Sequence, residues 1–307
     1  MGKTAPKLRH FLSVTDITPA ELENLLQDAI KLKGRWLSLL KNRTLAILFE
    51  KPSLRTRVSF EVAMRQLGGE PIYLSPAEVG LGKRESIADV SRVLSRYVDC
   101  VTIRTFAQSN LTEMAAHSSI PVINALSDLE HPCQALADLL TIYEHKGRLK
   151  GLTLAWIGDG FNMANSLMLA CAMTGMNIRL ASPKGYTVSK TMVRKAASIA
   201  KASGAEITLT EDPVAAVKSA DVVYTDAWTS MGQEDEAAVR RKAFAGFQVN
   251  GALMKGARKD AIFMHCLPAH HGEEVAAGMI DDPRSVVFDQ AENRLHAQKA
   301  LLAMLLG

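Results

Sequence analysis

Basic and hydroxyl-bearing side chains are concentrated just before a predicted helix in the first part of the chain. They are Lys51, Ser53, Arg55, Thr56 and Arg57, and residues 51–57 are called the anion loop below. Guanidinium groups, hydroxyls and the N–H groups at a helix N-terminus together favour an anion, and phosphate is the usual one. A basic run is more often a solvated surface, but here the charges alternate with hydroxyls at a strand-to-helix junction. The stretch therefore predicts a phosphate site.

A strand and a helix must hold the anion loop in place. Residues 45–49 form an apolar run of the length and flanks typical of a buried strand. After the loop, apolar residues recur at the spacing of one helix face, at Phe60, Ala63, Met64 and Leu67. Gly68 and Gly69 then end the predicted helix.

Strands and helices alternate along the rest of the first half. Predicted strands cover residues 71–74, 99–103 and 120–124, and predicted helices cover residues 20–33 and 86–97, the latter with Ile87, Val90, Val93 and Leu94 facing inward. This alternation predicts an α/β fold with a parallel sheet, whose ligands gather beyond the carboxyl ends of the strands. Arg104, directly after one strand, should therefore share one rim with the anion loop.

A further pair of polar residues opens the helix that begins near Pro132. His131 and Gln134 are three residues apart, so both could face one bound group. Taken alone, a capping histidine and a surface glutamine are the more ordinary interpretation. The glycine-flanked stretch 147–151 breaks the helical pattern and marks a domain boundary. We predict one domain at residues 1–147, completed by a C-terminal helix at 291–307, and a second at residues 148–290.

The second half opens on a strand and a glycine turn. Residues 152–157 are a predicted strand, followed by Gly158 and Gly160 and a helix capped by Asn162. Dinucleotide binding is weakly indicated, because Met163 stands at the third glycine position and no acidic residue closes the next strand. A tight turn into a helix explains the pattern without NAD.

Polar residues in this half suit an amino acid. Asp226 follows a predicted strand and suits an ammonium group, while Asn162 and the backbone N–H groups near Ser230 suit a carboxylate. Cys266 follows another strand. Phosphate on one side and an amino acid on the other suggest group transfer driven by a phosphate leaving group.

The composition is that of a cytoplasmic globular protein. The chain of 307 residues is 48% hydrophobic and 22% charged, with a net charge of +4 spread along its length, so nucleic acid is not implied. Its four cysteines are far apart and lack metal-type spacing, which favours reduced thiols. Neither a signal peptide nor a membrane-spanning run is indicated.

Separated motifs resemble one family along nearly the whole chain. They are Ser53-Leu54-Arg55-Thr56-Arg57, His131-Pro132-Cys133-Gln134, Asp226-Ala227-Trp228-Thr229-Ser230-Met231-Gly232, His265-Cys266-Leu267-Pro268 and Glu292-Asn293-Arg294. In order and spacing they resemble the aspartate/ornithine carbamoyltransferase family, and the third and fourth resemble its ornithine branch.

The resemblance implies a binding site for carbamoyl phosphate. Its residues would be Ser53, Leu54, Arg55, Thr56, Arg104, His131, Gln134, Leu267 and Arg294. The first four would hold the phosphate, Leu54 through its N–H group. Arg104 would reach phosphate and carbonyl oxygen, and His131 would donate to that oxygen. Arg57 is implied to form a structural ion pair instead.

The resemblance also implies an ornithine site. Its residues would be Asn162, Asp226, Ser230, Met231 and Cys266, with Cys266 beside the side-chain amine. The catalytic residues implied are Arg104, His131, Cys266 and Asp226.

The implied fold is two domains, each a parallel-sheet three-layer α/β/α sandwich, bridged by interdomain helices. The implied reaction moves the carbamoyl group of carbamoyl phosphate to the δ-amine of L-ornithine, giving L-citrulline and phosphate, in arginine biosynthesis. It needs no cofactor and no metal. The family's site lies at a homotrimer interface, completed by a neighbouring subunit's loop that corresponds to residues 78–85.

Several residues depart from the family pattern. Leu54 stands where threonine is usual, Phe161 where asparagine is common, His271 where arginine is usual and Gly80 near a frequent glutamine. Lys83 or Arg84 could supply a cation from the 78–85 loop in place of that glutamine.

Other acceptors stay open within the family: aspartate, putrescine or an N-acylornithine. Aspartate would call for extra arginines in the second domain, where Asp226 stands instead. A different class, an NAD-binding oxidoreductase, depends only on Gly158 and Gly160.

Overall fold

The structure, a computed structural model, describes residues 8–82, 84–230 and 232–307, with the side chain of Glu78 left out. It divides into two compact units. Unit 1 contains the described residues up to Cys133 together with Arg294–Gly307, and unit 2 is Gln134–Asn293. Both limits fall within helices, so two helices contribute residues to both units. The ligand-binding domain limits at residues 147 and 291 stay a prediction.

Unit 1 is built on a four-stranded parallel sheet with the order β2-β1-β3-β4. Its strands are β1 (Thr44–Phe49), β2 (Glu70–Leu74), β3 (Cys100–Arg104) and β4 (Val122–Leu126). Its helices are α1 (Pro19–Leu32), α2 (Leu54–Gln66), α3 (Pro76–Val79), α4 (Ile87–Tyr97) and α5 (Gln108–His117), and α6 (Pro132–Lys146) begins here. The central strands β1 and β3 are apolar and almost wholly buried, as expected of strands covered on both faces.

Unit 2 is built on a five-stranded parallel sheet with the order β7-β6-β5-β8-β9. Its strands are β5 (Thr153–Ile157), β6 (Asn177–Ala181), β7 (Ile207–Thr210), β8 (Val222–Thr225) and β9 (Ile262–His265). Its further helices are α7 (Asn162–Thr174), α8 (Lys190–Ser203), α9 (Pro213–Val217), α10 (Ala237–Ala243) and α11 (Gly251–Met254), and α12 (Val287–Leu306) begins here. The prediction of two parallel-sheet α/β domains is confirmed.

In each sheet, successive strands are first added on one side of the starting strand and then on the other. The resulting switch point lies between β1 and β3 in unit 1, and between β5 and β8 in unit 2. Loops that leave neighbouring strands at such a point run to opposite sides of the sheet, which opens a crevice at the carboxyl ends of the strands. The topology therefore singles out the anion loop and Arg104 in unit 1, and the glycine turn and Asp226 in unit 2.

Three local predictions were wrong. Val93 is exposed, because the buried face of α4 follows Ile87, Val90 and Ser91, and Ser91 donates its hydroxyl to the carbonyl of Met114. Asn162 is the first residue of α7 rather than its cap. The last helix begins at Val287 rather than at residue 291, so Arg294 lies two turns into α12.

None of the helices in the described part of the chain combines the length and hydropathy that crossing a bilayer requires.

Gly160 should tolerate no side chain. Its N–H donates to the carbonyl of Tyr186, and an added Cβ would stand 2.1 Å from the backbone nitrogen of Val188. Because backbone atoms cannot move aside cheaply, we expect Gly160→Ala to lower the free energy of unfolding by about 3 kcal/mol or more. Urea denaturation measures this. The control is Gly246→Ala, where the added Cβ has no neighbour within 4 Å, and an equal loss in both variants would contradict the prediction.

Candidate active site

The N-terminus of α2 forms the centre of the unit 1 site. Ser53 caps the helix, its hydroxyl accepting from the N–H of Thr56 over 3.3 Å. Arg55 is the second residue of the helix and so lies in its first turn, at the positive end of the helix dipole. Local sequence explains this geometry, since serine is a favoured cap and its side chain satisfies a donor that the helix leaves open.

Sheet register places Arg104 beside the anion loop. Phe49, the last residue of β1, pairs with Arg104, the last residue of β3, and the N–H of Glu50 donates to the carbonyl of Arg104 over 2.8 Å. Arg104 is buried. The predicted shared rim is confirmed.

Arg294 joins the same cluster from the C-terminal helix. It is buried on α12, and its Nη2 donates to Thr56 Oγ1 over 3.0 Å. The hydroxyl of Thr56 therefore fixes a guanidinium group against the first turn of α2.

His131 is neutral within this cluster. It is 7% exposed, immediately before α6. Burial, followed by the charges of Arg294, Arg104 and Arg55, holds the pKa of His131 well below its usual value. A neutral imidazole donates one N–H and adds no charge to a site that already holds three guanidinium groups.

Two basic residues of the anion loop are directed elsewhere. Lys51 is buried, with its Nζ 2.9 Å from Asp128 Oδ1 and 4.0 Å from the ring centroid of Phe106. The interpretation that Lys51 belongs to the anion site was therefore wrong, because a carboxylate already faces its charge. Arg57 pairs with Glu61 over 2.8 Å, which confirms its predicted ion pair.

The structure shows the surroundings of two residues that depart from the family pattern, Leu54 and Gly80. Leu54 is 76% exposed at the first position of α2, so the side chain is turned to solvent and only its N–H belongs to the helix end. Gly80 has a φ of +54°, and a side chain there would meet Arg84 Cβ at 2.9 Å. A glutamine at position 80 would therefore be strained in this backbone. Lys83 lies outside the described residues.

A pocket in unit 2 brings three predicted residues together. Asn162, Asp226 and Ser230 line it with Trp156, Asp159, Phe161, Met163 and Ala227. Asn162 enters from the start of α7, and Asp226 directly follows β8. Met231, also predicted to bind ornithine, lies outside the described residues.

The backbone N–H groups after Asp226 are already engaged. The N–H of Ser230 donates to Gln233 Oε1 over 3.1 Å, and the N–H of Gly232 donates to both carboxylate oxygens of Glu234. Side chains of the same loop therefore occupy two of the N–H groups that we expect to suit a carboxylate, and their role toward a carboxylate stays a prediction.

Cys266 lies beside Asp226 and His265. Burial, and then the Asp226 carboxylate, raise the pKa of the Cys266 thiol well above its usual value. The sulfur is therefore a thiol rather than a thiolate nucleophile. Ligand atoms of Asp226, His265 and Cys266 lie within 4.8 Å of one another. However, His265 Nδ1 accepts from the N–H of Leu267 and Nε2 faces Glu274 Oε1, so a metal would displace existing partners.

The two remaining predicted residues belong to unit 2. Gln134 is buried, and its Nε2 donates to Asp138 Oδ1 over 2.8 Å. Leu267 has a φ of +58°, a region that residues other than glycine seldom adopt. Backbone in such sparsely populated regions is concentrated at binding sites.

The ion pair of Asp159 with Arg240 was not predicted from the sequence. Arg240 Nη1 lies 2.6 Å from Asp159 Oδ2 and also donates to the carbonyl of Trp228 over 3.1 Å. Burial raises the pKa of Asp159 to about 6 despite this partner. The position of Asp159 after a strand at the switch point of unit 2 was an available signal, whereas Arg240 lies in a helix with no pattern that marks it.

Two family models match the chain. One, described as aspartate/ornithine carbamoyltransferase, carbamoyl-P binding domain, covers residues 9–144. The other, described as aspartate/ornithine carbamoyltransferase, Asp/Orn binding domain, covers residues 150–305.

Curated and solved relatives agree with these matches. The chain is 56% identical to an ornithine carbamoyltransferase from Anoxybacillus flavithermus over 98% of this chain and 97% of the relative. It resembles the solved ornithine carbamoyltransferase from Pyrococcus furiosus with a TM-score of 0.95 and 50% identity, covering 99% of each chain. The solved anabolic ornithine carbamoyltransferase from Campylobacter jejuni has a TM-score of 0.93 and 42% identity, covering 97% of this chain and 99% of that one.

Acid should destabilise the chain through His131. The folded imidazole resists protonation, whereas the unfolded one accepts a proton below its ordinary pKa of 6.5. The unfolded state then binds more protons, so stability contributed by His131 is complete above that pKa and falls as the pH drops through it. The urea midpoint should therefore fall less between about pH 7.5 and pH 5.5 in His131→Gln than in the unaltered chain. His271→Gln, at an exposed position, is the control, and an undiminished acid response in His131→Gln would contradict the prediction.

Proposed function

The chain belongs to the aspartate/ornithine carbamoyltransferase family, and from this premise we propose that it transfers the carbamoyl group of carbamoyl phosphate to the δ-amine of L-ornithine. The products are L-citrulline and phosphate. We assign the reaction to arginine biosynthesis, in line with the relative described as anabolic.

The observation that carries the donor half of this proposal is the positive cluster at α2. Arg55, Arg104 and Arg294 all act on buried His131. Ser53 and Thr56 add hydroxyls at the same helix end, and Leu54 adds an N–H group. Such a set matches a phosphate dianion joined to a polarised carbonyl.

The unit 2 pocket supports the acceptor half. Asp226 suits the α-ammonium group of ornithine, and Asn162 and Ser230 suit its carboxylate. We assign Met231 to this site from the family motif alone. Binding of the carboxylate would require the Ser230–Glu234 segment to exchange its internal hydrogen bonds for bonds to substrate.

The proposed chemistry is addition followed by elimination. The neutral δ-amine attacks the carbonyl carbon, and the oxyanion that forms is stabilised by Arg104 and by the N–H of neutral His131. The amine nitrogen passes one proton to the phosphate as the bond from carbon to the phosphate oxygen breaks, and Arg55 and the α2 N-terminus hold the charge of the released phosphate. Gln134, Leu267 and Arg294 orient the carbamoyl group, and the Cys266 thiol with Asp226 orients the attacking amine. Holding the two substrates together supplies much of the rate.

We further propose a homotrimer in the cytoplasm, with sites at subunit interfaces as the family resemblance implies. Exposed apolar residues support association: Leu54 and Val58 are one turn apart on α2, and Ile72 lies on the edge strand β2. Four free thiols favour a reducing compartment. Sedimentation equilibrium should give three chain masses, and a monomer would exclude the trimer.

The deciding experiment is a panel of acceptors. Citrulline formation from carbamoyl phosphate and L-ornithine is measured beside L-aspartate, putrescine and N-acetylornithine. Turnover with ornithine alone is the expected result. Turnover only with another amine would overturn the ornithine assignment and leave the donor assignment intact, and failure with every acceptor would overturn both.

Arg55→Gln should lower kcat/KM about 100-fold or more, because it removes a charge that is needed as phosphate leaves. Arg57→Gln is the matched control, two residues along the same helix and paired with Glu61. It should stay within a few-fold of the unaltered chain. Steady-state kinetics with varied carbamoyl phosphate measures both, and similar values for the two variants would remove Arg55 from the site.

A further inference from the structure

Asp138 is a fully buried carboxylate on α6 that accepts hydrogen bonds on both oxygens. Gln134 Nε2 donates to Oδ1 over 2.8 Å, and Gln290 Nε2 donates to the same oxygen over 2.7 Å. The Tyr224 hydroxyl donates to Oδ2 over 3.1 Å. Neutral donors from separate elements therefore converge on one carboxylate, which satisfies a group that would otherwise be costly to bury.

The hydrogen bond to Asp138 fixes the orientation of the Gln134 side-chain amide. Gln134 precedes Asp138 by one helical turn, so α6 brings the two side chains to one face. A carboxylate only accepts, so Nε2 must turn toward Asp138 and Oε1 toward the opposite side of the amide. If Asp138 did not hold it, the amide could flip and present a donor where it now presents an acceptor.

We propose that Asp138 is a positioning residue for the carbamoyl donor: by holding Gln134 Nε2 it presents Gln134 Oε1 to the carbamoyl NH2 group. The inference rests on the proposed function. The NH2 group is the part of carbamoyl phosphate that acetyl phosphate lacks, since a methyl group cannot donate a hydrogen bond. Asp138 therefore contributes to the choice between two acyl phosphates of the same charge and similar size.

The same network supports a second acceptor. Gln290 Oε1 accepts from the N–H of His265 over 2.9 Å, while Gln290 Nε2 is held by Asp138. This bond fixes the end of β9 just before Leu267, whose carbonyl we assign to the carbamoyl group. One buried carboxylate thus steadies both proposed acceptors of the NH2 group.

The test is the preference for carbamoyl phosphate over acetyl phosphate, taken as the ratio of their dissociation constants by titration calorimetry. Inorganic phosphate reports on the phosphate pocket alone. In Asp138→Asn the preference should fall about tenfold, since the introduced amide can donate a hydrogen bond and so allow the Gln134 amide to turn around. The dissociation constant for inorganic phosphate should change less than twofold, a selectivity that general damage to the fold would not produce.

Two substitutions at position 134 examine the same contact without altering Asp138. Gln134→Leu removes the acceptor and should lower the preference about as much as Asp138→Asn does. Gln134→Glu presents an acceptor oxygen at either end of its side chain, so it should keep more of the preference than Gln134→Leu does. The double variant Asp138→Asn with Gln134→Leu should lose no more than Gln134→Leu alone, because the two residues act through one contact.

Tyr224→Phe is the matched control, because it removes the donor to Oδ2 and one acceptor of Gln290 Nε2 but leaves the bonds of Gln134 and Gln290 to Oδ1. It should keep the preference. An unchanged preference in Asp138→Asn or Gln134→Leu would overturn the inference, as would equal weakening of all three ligands in Asp138→Asn. If Asp138→Asn does not fold, Asp138→Ser, which also removes the carboxylate, decides by the same ratio. An unaltered chain without any preference would overturn the proposed donor instead.

Discussion

Repulsion among like charges is the constraint on which the unit 1 site depends. Arg104 and Arg294 are buried, and both act on His131 together with Arg55. Buried guanidinium groups keep their charge, so the surrounding structure must hold them against one another. The hydrogen bond to Thr56, the backbone pairing at Arg104 and the rigid sheet edge provide that hold. An anion bound there would add a counter-charge to these three guanidinium groups.

Unit 2 brings negative charges together instead of positive ones. Its pocket places Asp159 and Asp226 on one lining, and the carboxylate of Asp226 adds to the effect of burial on Asp159. Arg240 offsets this by pairing with Asp159 while also binding the Trp228 carbonyl. One cation thereby both compensates a buried carboxylate and fixes the segment that follows Asp226. The pocket lining therefore holds two carboxylates, of which Arg240 pairs with Asp159.

Local features of the site could be predicted from the sequence, and distant pairings could not. The anion loop could be predicted from its own residues, because a capping serine and the alternation of hydroxyls with arginines are local features. That Arg104 shares its rim followed from parallel topology, because parallel strands end at one edge. Arg240 and Asp159 are 81 residues apart, and neither segment contains a sign of the other. Asp138 sits within an apolar stripe, where an acidic residue signals a buried partner without identifying it.

Unit 1 consists of two chain segments, one synthesised before unit 2 and one after it. Unit 2 is one uninterrupted stretch, whereas unit 1 requires Arg294–Gly307 in addition to its first segment. Lys299 in that last segment binds the carbonyl of Leu32 and the side chain of Gln66. During synthesis the ribosome therefore finishes the second unit before the first can close, and Arg294 reaches the anion loop last. In a nascent chain Arg55 and Arg104 can therefore meet early, whereas the charge of Arg294 joins them only after unit 2 has been synthesised.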